Sequence, residues 1–148
     1  MLVAIPFGRY HELPPQPFAE TIVVDATNYF PQRDGDLPEL DEDRTTSSEL
    51  LAAHLPGARV VKAFNSMNWA VLRDRGAPDA GEDRLALFVA GDDEDAKQRV
   101  AGLIEEIGFA PVDTGNLSQG GRRQQTGSSL FTQVIAERDA ERALAADG

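Results

Sequence analysis

Short apolar runs, separated by polar segments that contain glycine and proline, dominate the pattern of this chain. Each run is about as long as a strand, and several are rich in valine and alanine. Continuous apolar runs of this length are typical of strands that are covered on both faces of a sheet. The pattern therefore predicts five strands, at residues 1–5, 21–27, 59–65, 85–90 and 110–113.

A capping-box sequence follows the second run. Thr46 and Glu49 have the spacing at which each side chain bonds the backbone N–H of the other residue. This arrangement predicts a helix that runs to about His54 and stops before a Pro-Gly pair.

Two further helices are predicted in the second half of the chain. Asp92 or Asp93 begins the first of them, and Gly108 suits its left-handed C-terminal position. Its apolar residues recur on one helical face: Val100, Leu103, Ile104 and Ile107. The last helix is expected over residues 128–146, with an apolar beginning and a charged, alanine-rich end.

Strands that alternate with helices predict βαβ units and a mostly parallel sheet. The length of 148 residues and the lack of a linker-like segment indicate one α/β domain over residues 1–148. Segments 31–45, 73–84 and 114–129 are predicted loops. Loops longer than about 12 residues in a compact domain are usually functional or disordered.

The composition excludes several classes of function. The formal net charge of −11 argues against binding to nucleic acids or anionic membranes, because phosphate contacts require lysine and arginine. The chain has no cysteine, which excludes disulfides, thiol catalysis and cysteine-bound zinc. No apolar run is long enough to span a membrane. We expect a cytoplasmic domain that binds a small molecule.

Polar side chains follow the predicted strands where ligands bind in open α/β sheets, at the carboxyl ends. The four ends expected to meet are 5–7, 25–28, 62–65 and 89–92. Thr27, Asn28 and Asn65 lie in these segments and could address a flat polar ligand. The alternative is that they only cap strand ends and enter turns.

Other familiar motifs are missing. The sequence contains no Gly-x-Gly-x-x-Gly loop, no Walker-type loop and no Gly-x-Ser-x-Gly elbow. No metal site is expected, since the acidic cluster at 41–43 does not match a calcium loop. Arg122 and Arg123 form an adjacent basic pair that could bind a carboxylate or phosphate, or could simply pair with acidic neighbours.

Several segments, taken in order, resemble one known family. They are VVDATNY at 23–29, TTSSEL at 45–50, LPGARVVKAFN at 55–65, FVAGDD at 88–93, IGFAPVD at 107–113 and GGRRQQ at 120–125. Over about residues 1–135 the chain resembles the deazaflavin (coenzyme F-420)-dependent NADP oxidoreductases. The resemblance implies a Rossmann-type NADP(H)-binding fold and hydride transfer between NADP(H) and a deazaflavin or another small acceptor.

The resemblance also implies roles for particular residues. The segment at 5–7 would lie along the dinucleotide, the segment at 25–28 near the nicotinamide, and the segment at 63–65 beside the site of hydride transfer. Asn65 would be an orienting hydrogen-bonding group, because an amide does not titrate. The implied cofactor-binding residues are Ile5, Pro6, Phe7, Thr27, Asn28, Ala63 and Phe64, and the implied residues for the second substrate are Arg122 and Arg123.

The chain departs from this family at its beginning. The expected glycine loop and the residues that read the adenosine ribose phosphate are missing, so the chain looks like a truncated Rossmann-like domain that starts at about the fourth strand. The expected function is an NADP(H)-dependent oxidoreductase whose activity as this chain alone is doubtful. One alternative is a non-catalytic remnant that forms a homodimer through an exposed sheet edge at residues 1–5. Another is an unrelated α/β domain that binds a small molecule.

Overall fold

Five strands and seven α-helices are present in the computed structural model, which describes residues 1–146. The strands are β1 Leu2–Val3, β2 Ile22–Asp25, β3 Arg59–Ala63, β4 Ala86–Gly91 and β5 Ala110–Gly115. The helices are α1 Pro31–Asp34, α2 Pro38–Asp41, α3 Ser47–His54, α4 Trp69–Asp74, α5 Glu94–Glu106, α6 Gln119–Arg123 and α7 Glu137–Ala146. None of the helices described is long and apolar enough to cross a membrane.

The strands lie side by side in chain order, with β1 at one edge of the sheet and β5 at the other. Three of the four pairings are parallel, and only β3 and β4 run antiparallel. Helices cover parts of both faces, so the mostly parallel, Rossmann-like α/β fold expected from the sequence is confirmed.

The direction of β4 corrects one expectation. Residues 89–92 do not meet the carboxyl ends of β2 and β3, because β4 pairs antiparallel to β3, with Ala63 opposite Val89 and Val61 opposite Gly91. The connection at 64–85 begins and ends near the carboxyl end of β3, because β4 starts there. A parallel pairing would have needed a crossover connection.

Each face of the sheet carries its own apolar cluster. Val61, Leu87 and Val89 pack against α5 on one face. Val23 and Val60 pack against α3 on the other face. Successive side chains of a strand point to opposite faces, so a continuous apolar run supplies both clusters at once.

The predicted helix ends are confirmed. The Thr46 hydroxyl accepts the Glu49 N–H at 3.2 Å, and the Glu49 carboxylate accepts the Thr46 N–H at 2.8 Å. Asp93 caps α5 by accepting the Ala96 N–H at 2.8 Å. Gly108 has a φ of +88° after the end of α5, a conformation that favours glycine.

The last helix begins later than the sequence indicates. α7 starts at Glu137 and not at residue 128. Thr132 has a left-handed φ of +62° and donates its N–H to Ser66 O at 2.9 Å, and Ile135 O accepts the Ala86 N–H at 2.9 Å. These long-range hydrogen bonds replace the first turns of the expected helix.

The predicted loops are also partly helical. Segment 31–45 contains the single turns α1 and α2, each of which begins at a proline, where the missing N–H has no cost. The residues Pro78–Asp83 form a 3-10 helix, and α6 lies within segment 114–129.

β1, at the open edge of the sheet, is shorter than expected, and its two side chains differ in exposure to solvent. Leu2 is 62% exposed, whereas Val3 is 4% exposed and belongs to the cluster beside α3. α7 packs near β5 at the opposite edge, so it does not cover β1.

A buried ion pair joins β2 and β3. The Lys62 ammonium lies 3.6 Å from Asp25 Oδ2, and the two side chains are 1% and 0% exposed. The Ser48 hydroxyl, at the start of α3, donates to the same Asp25 oxygen at 2.6 Å. This cluster therefore fixes two strands and one helix relative to each other.

We expect Lys62→Met to lower the free energy of unfolding by about 3–5 kcal/mol, because it leaves the Asp25 carboxylate buried without a counter-charge. The double variant Asp25→Asn/Lys62→Met removes both charges and should recover most of that loss. Urea denaturation of the two variants measures the difference. Lys97→Met, at a lysine with exposed carboxylate partners, is the control, and equal losses in the single and double variants would contradict this account.

Candidate functional site

The carboxyl ends of β2 and β3 bring two asparagines together. The Asn28 amide donates to Asn65 O at 2.9 Å, and the Asn65 amide donates to Asn28 Oδ1 at 3.1 Å. The Asn65 amide also donates to Gln124 O at 2.8 Å, from the segment that follows α6. Two of the three polar strand-end residues predicted from the sequence, Asn28 and Asn65, therefore face each other across neighbouring strands.

One acceptor at this junction is unused. The amide nitrogen of Asn65 donates to two oxygen atoms. Exchanging the positions of the amide nitrogen and oxygen would place Oδ1 against these two oxygens, so the assigned orientation is the favourable one. Asn65 is 6% exposed, and its Oδ1 has no hydrogen-bond partner within residues 1–146. A buried acceptor without a donor is costly, and an N–H or O–H of a ligand would satisfy it.

Asp25 holds the strand end in place. Its Oδ1 accepts the Thr27 N–H at 2.9 Å and the Thr27 hydroxyl at 2.6 Å. Thr27 is 2% exposed, so its hydroxyl serves this turn and does not face solvent. The position of Asn28, the next residue, follows from the turn.

An apolar groove with a volume of about 590 Å³ lies beside these residues. It is lined by Met1, Leu2, Ala4, Val24, Ala26, Asn28, Phe64, Asn65, Met67, Trp69, Leu72 and Leu103. Phe64 has a left-handed φ of +67°, which is strained for an aromatic residue. Such strain is concentrated at binding and catalytic sites, so the turn between β3 and Asn65 is a candidate for one.

A smaller polar cavity of about 210 Å³ lies on the other side of Asn28. Its lining consists of Asn28, Tyr29, Pro31, Leu40, Asp41, Asp43, Ser47, Lys62, Gln125 and Thr126. Loss of water around the hydroxyl raises the pKa of Tyr29, and its hydrogen bond to Asp41 adds to this shift. Tyr29 is therefore a neutral phenol at this cavity at physiological pH.

Four of the residues that the sequence assigns to the cofactor site lie away from the groove. The Phe7 side chain is fully buried and stacks on Tyr10 at 4.7 Å between ring centroids. Ile5 packs against the cluster beside α3, and Pro6 is exposed. Ala63 is fully buried in the cluster beside α5. None of these four side chains lines the groove, within the part of the chain that is described.

The basic pair at 122–123 is divided between two environments. Arg122 pairs with Asp43 at 3.0 Å, at the rim of the polar cavity. The Arg123 guanidinium donates instead to Leu144 O in α7. The two arginines therefore do not form a single basic patch.

Sequence reasoning missed the residues beneath the site. Lys62 is a cation between apolar residues in the interior of β3, a position that is costly unless a carboxylate is nearby, and Asp25 ends the preceding strand. The sequence therefore contained enough information to predict the Lys62–Asp25 pair. It contained none that predicts the role of Gln124, which is fully buried and donates to Thr114 Oγ1 at 2.8 Å.

Two solved structures similar to this chain are those of bacterial proteins. A hypothetical protein of Sinorhizobium meliloti is 37% identical, with a TM-score of 0.74 over 91% of this chain and 65% of that one. A proposed F-420-dependent NADP reductase of Arthrobacter sp. FB24 is 29% identical, with a TM-score of 0.63 over 81% of this chain and 58% of that one.

Curated relatives match a shorter part of the chain. Metalloreductase STEAP3 of Rattus norvegicus is 33% identical over 78 residues, or 52% of this chain and 15% of the relative. Metalloreductase STEAP2 of Homo sapiens is 30% identical over 88 residues, or 59% of this chain and 17% of the relative. The chain thus spans about one sixth of the length of these relatives, and no protein-family model matches it. Sequence and fold together make the chain similar to oxidoreductases, among them a proposed NADP reductase.

Proposed function

We propose that this chain takes part in hydride transfer between NADP(H) and a small acceptor, either a deazaflavin such as coenzyme F-420 or another small molecule. The observation that carries the proposal is the unused Oδ1 of Asn65 beside the apolar groove. A flat ring with an attached amide needs such a site, because its faces are apolar while its N–H groups require an acceptor.

The groove fits the nicotinamide part of the cofactor. Phe64, Met67 and Trp69 offer apolar contacts to a ring, and Asn65 offers an acceptor for a carboxamide N–H. When bound, the cofactor would supply the hydride. The residues of this chain would exclude water from one face of the ring and fix its orientation, which is the usual contribution of the protein in such reactions.

The groove offers fewer partners to the phosphates of the cofactor than to its nicotinamide ring. None of the residues that line the groove, within residues 1–146, is basic. The sequence also contains no glycine loop at which a helix N-terminus could hold a pyrophosphate. The ring would therefore bind with little help from phosphate contacts.

The relatives support the class of reaction. One similar structure is that of a proposed F-420-dependent NADP reductase, and the curated relatives are metalloreductases. The identity of the acceptor in this chain is part of the proposal.

We expect the isolated chain to bind NADPH with a Kd of about 1 mM or weaker, which corresponds to roughly 4 kcal/mol, because the phosphate contacts are missing. Trp69 is the single tryptophan and lies in the groove, so quenching of its fluorescence reports binding. A micromolar Kd would contradict the argument and would indicate another phosphate site.

Asn65→Ala tests the orienting role within the same titration. It should weaken NADPH binding about fivefold, the value of one hydrogen bond of about 1 kcal/mol. Asn116→Ala, at an exposed asparagine that caps the turn at Gln119, is the matched control and should not change binding. Equal affinity of wild type and Asn65→Ala would remove Asn65 from the site.

For an anionic second substrate we expect the two arginines to differ. Arg122→Ala, at the rim of the polar cavity, should weaken binding of a deazaflavin severalfold and change stability by no more than about 0.5 kcal/mol. Arg123→Ala should loosen α7 and lower stability, with less effect on binding. Deazaflavin fluorescence polarisation and urea denaturation measure the two effects. Unchanged polarisation curves for Arg122→Ala would exclude Arg122 from the site.

Self-association is a second candidate function, favoured by the open edge at β1. Met1 O and Val3 O accept hydrogen bonds from β2, so the N–H and C=O of Leu2 point away from the sheet. The exposed Leu2 side chain adds apolar surface there. An edge of this kind can pair with a second copy about a two-fold axis.

Leu2→Lys tests the edge, because Val3→Lys would place a charge in the core. If the edge pairs, sedimentation should show a concentration-dependent dimer for the wild type and a monomer for Leu2→Lys. Ile107→Lys, at an exposed apolar residue outside the groove, should behave like the wild type. A wild-type chain that stays monomeric at high concentration would exclude this function.

A further inference from the structure

The polar cavity contains a buried cation that the proposed ring site does not use. Lys62 lines this cavity and is 1% exposed. Its ammonium has three N–H groups and finds two acceptors, Thr27 O at 3.3 Å and Asp25 Oδ2 at 3.6 Å. Among residues 1–146, at least one N–H is therefore left without an acceptor, at a side chain that lines the cavity.

Other unused groups at the cavity are also donors. Gln125 Oε1 accepts the Ser47 N–H at 2.9 Å, so the NH₂ of Gln125 remains for another partner. Ser47, which is 1% exposed, lines the cavity as well, and its hydroxyl can also donate. A group that satisfies these donors must present oxygen acceptors.

The charges at the cavity favour an acceptor without a net charge. Asp25 balances Lys62, and Arg122 balances Asp43 at the rim. Asp41 adds a carboxylate to the lining, and the whole chain has a net charge of −11. An anion inside the cavity, past the rim at Arg122, would face net repulsion, whereas a carbonyl oxygen there would accept from Lys62 without it.

We propose that the polar cavity beside Asn28 is a second subsite that binds a neutral ring through a carbonyl oxygen, with the Lys62 ammonium as its donor. Asn28 lines both this cavity and the apolar groove, so the two sites share one wall. The inference goes beyond the proposed function, because the cavity would bind its own neutral ring on the other side of Asn28 from the groove.

The chain offers a direct probe, since Lys62 and Lys97 are its only lysines. Protein labelled with ¹³C at lysine Cε gives two signals, which Lys97→Met assigns. Uracil, a neutral cyclic imide small enough for a cavity of about 210 Å³, is the probe, and pyrimidine is the same ring without carbonyls. Uracil should shift the Lys62 signal in a saturable manner at millimolar concentration and leave the Lys97 signal unchanged. Pyrimidine should shift neither.

Variants then test the donor itself. Binding to each variant is followed by saturation transfer to the uracil protons. Asp25→Asn/Lys62→Met, which avoids an uncompensated buried charge, should weaken uracil binding at least tenfold, because a hydrogen bond from a charged donor is lost. Lys97→Met should bind uracil as the wild type does.

Three results would overturn the proposal: no shift of the Lys62 signal with uracil, an equal shift with pyrimidine, or unchanged uracil binding by the double variant. A Lys62 shift with inorganic phosphate but none with uracil would assign the cavity to anions and would also overturn it. Quenching of Trp69 by NADPH is measured on the same samples and reports the groove alone. Failure of the carbonyl subsite is thus distinguishable from failure of the proposed function.

Discussion

A lysine and an aspartate that are almost completely withdrawn from solvent stand at the centre of this molecule. The Lys62–Asp25 pair carries a large desolvation cost, which is offset by the attraction between the two charges and by the hydrogen bonds of Asp25 with Thr27 and Ser48. The pair and its partners come from β2, the turn after it, β3 and α3. The pair adds little net stability compared with apolar residues of similar size, but it permits one arrangement of these elements. The geometry of the candidate site depends on that arrangement.

The effect of the pair reaches the site through a short series of contacts. Asp25 fixes the turn at Thr27, the turn positions Asn28, and Asn28 exchanges hydrogen bonds with Asn65. Asn65 also holds the backbone at Gln124. Binding groups are most effective when their own partners prevent movement, and here a buried network restrains both asparagines before any ligand arrives.

The groove and the cavity on the two sides of Asn28 differ in character. One is apolar with a single unused acceptor at Asn65, and the other is polar with unused donors at Lys62 and Gln125. The groove would therefore suit a ligand with an N–H donor, and the cavity would suit a ligand with a carbonyl oxygen.

The sequence by itself determined the local features: the strands, the capping box at Thr46, the cap at Asp93 and the strand ends that carry Asn28 and Asn65. These depend on apolar runs and on hydrogen bonds between residues close in the chain. Only the tertiary structure decided the antiparallel direction of β4, the late start of α7 and the burial of Val3 next to an exposed Leu2. Each of these depends on contacts between distant segments, such as the hydrogen bonds of Thr132 and Ile135 with Ser66 and Ala86, and local preferences do not encode them.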